Sequence, residues 1–107
     1  MEATSEIVKL KINNEKEEIK KPDELNYKCI KNLNGHFDYV TSVTQLVNGL
    51  IVSGSRDETI RVWDPLQDYK CIKTLKGHTS SVTSVTQLQN GSIASGSGDK
   101  TIRLWGY

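Results

Sequence analysis

Long apolar runs are missing from this sequence: no stretch approaches the roughly 18 apolar residues that a membrane-spanning helix needs. The opening Met1-Glu2-Ala3-Thr4-Ser5-Glu6 has neither the basic start nor the apolar core of a secretory signal. An excess of either charge is missing too. Lys and Arg total 14 against 13 Asp and Glu, so no net field draws the chain towards nucleic acid or an anionic membrane. With 107 residues there is room for one small domain at most, near the size at which buried surface only just offsets chain entropy. Together these absences lead to the expectation of a soluble, cytoplasmic protein, with the nucleus left open.

What is present in strength is repetition. Slid by 42 residues, Cys29–Trp63 falls on Cys71–Trp105 with 24 of 35 positions identical. Gly35-His36 lands on Gly77-His78, Asp57 on Asp99 and Trp63 on Trp105, while Val40–Leu46 recurs unchanged as Val82–Leu88. A period of this length, with Gly-His near its start and Trp near its end, marks an array of four-stranded blades. These residues resemble the WD-repeat family of β-propellers, and the resemblance runs from Cys29 to the last residue.

The local signals predict strands. Val40, Val43 and Leu46 are spaced by three, as on a helix face. Four β-branched residues in seven, followed by Asn48-Gly49, favour a strand and a tight turn instead. Leu50–Ser55 then pairs back, Arg56-Asp57-Glu58 turns, and Thr59–Asp64 runs to Trp63 before Pro65 breaks the ladder. Lys70–Leu75 repeats Lys28–Leu33, and the second copy follows as Val82–Leu88, Ser92–Ser97 and Thr101–Trp105. The fold class expected is all-β, with two repeats over 28–69 and 70–107 behind a charged head, 1–27. In that head Val8, Leu10 and Ile12 alternate with Lys9 and Lys11, a short lysine-guarded edge strand at 7–12. A charge run to Pro22 follows as a solvated tether; residues 1–28 hold 13 of the charged side chains.

In the family that the chain resembles, each repeat opens on the outer strand of the preceding blade. The resemblance therefore implies one complete four-stranded blade (Val40 to Leu75), one three-stranded blade (Val82 to Trp105), and a leading outer strand, Lys28–Leu33, of a further blade. A propeller needs about four to eight blades, so a single chain is an incomplete ring. Closure between copies is the expectation, Lys28–Leu33 of one molecule completing the Val82–Trp105 blade of the next in a head-to-tail contact. The rival expectation is a C-terminal fragment of a larger propeller, or a degraded gene product that does not fold.

Two polar quartets are candidate sites. The resemblance assigns His36, Ser53, Asp57 and Trp63 to a hydrogen-bonded tetrad, and His78, Ser95, Asp99 and Trp105 to its copy. Ser55 and Ser97 share the strand face and compete for the serine role. A buried indole N–H needs an acceptor, and a buried imidazole needs a donor and an acceptor, so a structural role follows from chemistry alone. An Asp-His-Ser hydrolase is the alternative. It is disfavoured because the set recurs in register and no Gly-x-Ser-x-Gly elbow is present. Gly91, Gly96 and Gly98 lack the Lys-Ser/Thr of a phosphate loop and read as turn glycines.

Cys29 and Cys71 occupy equivalent positions in the two copies; in a propeller they would sit on outer strands of successive blades, too far apart for a disulfide, and their Cys-x6-His spacing to His36 and His78 fits no zinc finger. No cofactor and no metal are expected. Where the copies differ, the first has Phe37, Tyr39 and Arg56 on the rim that the family uses for partners, and the second has Thr79, Ser81 and Gly98. Aromatics and arginine dominate interface energetics, so Phe37, Tyr39 and Arg56 are the candidate partner-binding residues, with packing of the two aromatics within their loop as the bland alternative. From Cys29 onwards, 8 basic and 6 acidic residues fall short of the stripe that nucleic-acid binding shows. The function expected is a non-enzymatic protein–protein interaction module, its partners other proteins and copies of itself.

Overall fold

The structure, a computed structural model, describes Lys21 and Glu24–Gly106. The edge strand expected at 7–12, and nearly all of the charge run after it, lie outside the described residues. The backbone divides into two compact units, 1–32 and 33–107. In the described part of the first, the Glu24 N–H bonds to the Lys21 carbonyl at 2.8 Å, and the Cys29 thiol reaches Asn32 Oδ1 at 3.4 Å. Lys28–Leu33, expected as an outer strand, belongs to no ladder. A strand is held by its neighbour, and no other strand of that sheet stands among the described residues.

The second unit carries seven strands: β1 Val40–Gln45, β2 Ile51–Ser55, β3 Ile60–Asp64, β4 Lys70–Leu75, β5 Val82–Gln87, β6 Ile93–Ser97 and β7 Ile102–Trp105. They form two antiparallel meanders, β1-β2-β3-β4 and β5-β6-β7. The tight turn between β1 and β2 is locked by Asn48, whose Oδ1 accepts the Leu50 N–H at 3.0 Å; Asn90 accepts from Ser92 at 2.9 Å in the copy. After β3, Asp64 caps a 3-10 turn, Pro65–Gln67, by accepting the Leu66 N–H at 2.9 Å. Pro65 suits the first turn of that helix because its missing N–H would find no helical partner there.

A bulge explains the three-residue spacing of Val40 and Val43; Leu46 lies beyond β1 and is buried on the other side, in the core. Val40 lies opposite Ser55 and Ser42 opposite Gly54, so Thr41 is an extra residue, and Val82/Ser84 is offset in the same way. An inserted residue shifts the alternation by one, which puts Val40 and Val43, and equally Val82 and Val85, on one face. The first interval of the helix-like period belongs to a bulged strand.

The core lies between the two sheets. Val52, Ile60 and Val62 of the first sheet meet Val82, Val85 and Ile93 of the second, with Leu46 closing one end. Gly54 sets the spacing: a methyl group there would stand 2.7 Å from Val82 Cγ1 and 3.2 Å from Val85 Cγ1. Polar contacts brace the same seam. The Thr41 hydroxyl shares its one proton between the Gly54 carbonyl, at 3.1 Å, and the Val82 carbonyl, and the Val47 N–H donates to Gln87 Oε1 at 2.8 Å.

Glu58 and Lys100 occupy the left-handed region, with φ of 74° and 72°, where a side chain costs about 1–2 kcal/mol. The Lys100→Gly variant should be more stable by about 0.5–1 kcal/mol, the relief of that strain less glycine's greater unfolded entropy. A urea midpoint that stays put or falls would contradict this account of the turn.

Candidate functional site

Each sheet carries one polar network built from the same parts. The turn before β1 supplies His36, β2 supplies Ser53, the β2–β3 turn supplies Asp57, and β3 supplies Trp63. The Trp63 indole N–H donates to Ser53 Oγ at 2.9 Å, Ser53 Oγ lies 2.7 Å from His36 Nε2, and His36 Nδ1 lies 2.8 Å from Asp57 Oδ2. In the copy, Trp105 to Ser95 is 2.8 Å, Ser95 to His78 is 2.7 Å and His78 to Asp99 is 2.7 Å. An ionised carboxylate only accepts, so Nδ1 carries the ring proton; in neutral imidazole Nε2 then accepts from the serine hydroxyl. All eight residues named from the sequence are thus brought together, four to each sheet.

The competing serines have another task. Ser55 Oγ accepts the Asp57 N–H at 3.0 Å, and Ser97 Oγ accepts the Asp99 N–H at 3.1 Å. They hold the aspartate turn and leave Ser53 and Ser95 to the indoles. The strand register explains the split: Trp63 lies opposite Ile51 and Arg61 opposite Ser53. The indole lies within diagonal reach of Ser53, whereas Ser55 is one pleat repeat further off.

Thr59 and Thr101 belong to the networks and were missed by sequence reasoning. Each donates its hydroxyl at 2.5 Å to the aspartate two residues before it, and its N–H at 2.9 Å and 2.8 Å respectively. The available signal was the repeated Asp-x-Thr, in which an aspartate accepts from the backbone two residues on. The aspartates also accept the Phe37 N–H at 2.9 Å and the Thr79 N–H at 3.1 Å. For Asp57, burial favours the neutral acid, but the Thr59 hydroxyl, the Phe37 N–H, His36 and the Thr59 N–H outweigh it. The carboxyl is held well below the usual carboxylate range. The Thr101 hydroxyl leads in holding Asp99 equally low, opposed by burial and assisted by His78 and the two N–H groups.

Gly35 and Gly77 let the tryptophans in. A methyl group would stand 3.0 Å from Trp63 Cη2 at Gly35 and 3.1 Å from Trp105 Cη2 at Gly77. The glycine before each histidine is therefore the floor under the indole. The serine at the centre of each network is buried. It also accepts an indole N–H on one of its two lone pairs.

The rim residues are exposed. Phe37 and Tyr39 both stand in solvent, each beneath an arginine: Arg56 Cζ is 5.0 Å from the Tyr39 ring centre and Arg61 Cζ is 5.7 Å from that of Phe37. An open groove of about 440 Å³ begins at Phe37 and Arg61 and runs past Glu58 to Lys76. At the equivalent places on the second sheet stand Thr79, Ser81 and Gly98, with no aromatic or cationic side chain among them.

The WD domain, G-beta repeat family model matches residues 27–64 and 69–106. Among solved structures, the crystal structure of the WD40 beta propeller domain of Doa1 is similar at 31% identity with a TM-score of 0.65. The match covers 70% of this chain and 25% of that one, so the present chain spans about a quarter of its length. No curated protein matches the sequence.

The Ser53→Ala variant removes the acceptor of a buried indole and the partner of His36 Nε2. It should lose about 1–3 kcal/mol by denaturant unfolding. Ser95→Ala should lose less, because Trp105 is less buried than Trp63; the reverse order would refute the acceptor argument. Acid should act through the aspartates. Each carboxyl is held below its unfolded value of about 3.9, so its stabilisation is complete above that pH and is withdrawn as the pH falls beneath it. Tryptophan fluorescence during an acid titration should change below about pH 4, less steeply in the Asp57→Asn, Asp99→Asn double variant.

Proposed function

The chain belongs to the WD domain, G-beta repeat family, and on that premise we propose that it is a non-catalytic protein-interaction module. Its anchor is the patch of Phe37, Tyr39 and Arg56, and its blades are completed by further copies of the same chain. The observation that carries this reading is the asymmetry of the rim. Two repeats that agree at 24 of 35 positions differ at these three, and only the first presents aromatic rings capped by arginine. Such pairs combine rigid apolar area with a fixed charge, the composition of interface hot spots.

The polar quartets have a structural task in this reading. Ser53 and Ser95 meet the histidine and aspartate of a hydrolase-like set, yet each is buried and bonded to an indole. The arrangement recurs with nearly the same distances in both sheets, as bracing must and a catalytic site need not. Self-association draws support from Lys28–Leu33. It repeats five of the six residues of β4 without a ladder of its own, while β7 is the last strand of its sheet. Added to β7, it would meet the same kind of edge that β4 meets on β3.

The Tyr39→Ala, Arg56→Ala double variant should keep the strand circular dichroism and unfolding midpoint of the parent. Its affinity for protein partners captured from lysate should fall tenfold or more, the usual consequence of truncating two hot-spot side chains. Thr79→Ala with Ser81→Ala on the other rim should change neither. Equal capture by both double variants would remove the patch from the interface.

A further inference from the structure

The seam between the two sheets is a contact between opposite faces of a duplicated unit, and among the described residues neither sheet has a further sheet on its other face. On the covered side, β5 presents Val82 and Val85, 0% and 8% exposed, to Val52, Gly54, Ile60 and Val62, of which Ile60 and Val62 are 0% and 6% exposed. The copies of these residues stand in water. Val40 and Val43, the counterparts of Val82 and Val85, are 56% and 65% exposed. Ile102 and Leu104, the counterparts of Ile60 and Val62, are 78% and 66% exposed. One molecule thus carries both halves of a seam it already makes once, on opposite sides of the sheet pair.

We propose that a second copy of this chain docks head to tail through these two faces, Val40 and Val43 of one molecule packing over Gly96 and against Ile102 and Leu104 of the other. This rests on the reading that copies complete one another, and it assigns the surface they use. Exposed apolar faces of this kind mark association sites, and three details favour this occupant. First, Gly96 repeats Gly54. At Gly54 an added methyl group would strike Val82 and Val85, whereas at Gly96 the neighbours are Ser84 Oγ at 3.3 Å and Thr83 Oγ1 at 3.8 Å, both of the same sheet. The space that Val82 and Val85 fill at the internal seam is open at Gly96, and Val40 and Val43 have the shape to fill it.

Second, the polar braces are half-made. Thr83 donates to the Gly96 carbonyl at 3.2 Å just as Thr41 donates to the Gly54 carbonyl, but Thr41 also reaches the Val82 carbonyl across the seam. The equivalent acceptor for Thr83 is the Val40 carbonyl of the second copy. Gln87 accepts the Val47 N–H across the seam while its amide donates to the Gly91 carbonyl at 3.3 Å. Gln45 is already posed in the same way on the Gly49 carbonyl at 3.2 Å, which aims its oxygen at the Gln89 N–H of the second copy.

Third, the substitutions between the copies are compatible with the fit. Val52 becomes Ala94 and Val62 becomes Leu104, one smaller and one larger, so the volume of the receiving face is largely kept. The contact is heterologous, since the face offered differs from the face that receives, and it repeats from one molecule to the next.

Gly96→Val separates assembly from folding. Within one chain its Cβ meets only the hydroxyl oxygens of Ser84 and Thr83, at 3.3 and 3.8 Å, but in the docked pair it occupies the place of Val40 and Val43. Sedimentation or light scattering should give a multiple of 12.0 kDa for the parent chain and a single-chain mass for Gly96→Val and for Val43→Lys, both with parental circular dichroism. A covalent trap adds an independent readout in chains whose native cysteines are replaced by serine. Val40→Cys mixed with Gly96→Cys should form an oxidised dimer, because the seam brings such Cβ atoms within disulfide reach of about 3.5–4.5 Å, and neither variant alone should. Retention of the parental mass by both Gly96→Val and Val43→Lys, without the trapped dimer, would overturn the assigned surface and leave self-association through another one. A parent chain that stays at 12.0 kDa at every concentration would overturn self-association itself.

Discussion

An indole N–H placed on a sheet, where the backbone groups are already paired, has to find an acceptor from a side chain. In both sheets that acceptor is a serine hydroxyl on the neighbouring strand, and the rest of the local structure follows from it. The serine, having accepted, turns its own proton towards histidine Nε2, and histidine Nδ1–H donates to the aspartate. The aspartate then has lone pairs left, and these gather two backbone N–H groups and a threonine hydroxyl. One donor on β3 is thereby linked through β2 to the turn before β1 and the turn before β3. Each bond adds only about 0.5–1.5 kcal/mol net, but an unmet buried partner costs about 1–3 kcal/mol. The network therefore acts on register more than on total stability: a one-residue slip of β3 would turn the indole to the other face.

Much of this was legible before any coordinates, because duplication does the work that comparison of relatives does elsewhere. A histidine, an aspartate and a tryptophan that return at the same spacing have to serve something that returns, and the sheet is what returns. The choice between Ser53 and Ser55 was not legible. Both lie on one face of β2, and alternation cannot rank two positions of equal parity. It takes the pairing of Trp63 with Ile51 to place the indole nearer to Ser53. Thr59 and Thr101 were missed for a different reason: as β-branched residues at the start of a strand they look like ordinary strand formers. Their hydroxyls matter only once the aspartate is known to face them.

The bulge in β1 and β5 shows where pattern reasoning misleads and why. Three-residue spacing of Val40, Val43 and Leu46 is a helical signal on its face, and composition alone favours strand. The extra residue at Thr41 reconciles the two, since it moves Val43 to the face of Val40. Lys28–Leu33 is the opposite case, a segment with a strand's sequence and no ladder. Strand structure is a property of pairs, so a faithful copy of β4 remains unpaired when its partner is not beside it.

The same reasoning extends from strands to faces. Val82 and Val40 belong to an unchanged seven-residue segment, yet one is sealed and the other stands in water. The difference cannot lie in the segment; it lies in what stands against it. Val82 has the bare backbone of Gly54 to pack on, and the chain contains a second such strip at Gly96 that Val40 of the same molecule cannot reach, because the two lie on opposite sides of the sheet pair. In a longer array every seam of this kind is met by the next repeat, and only the end faces remain open. With two sheets, the two end faces carry the counterparts of the side chains that meet at the single seam between them. Burial favourable enough to hold the first seam is therefore available a second time, on the same side chains, to any molecule that offers the same two faces.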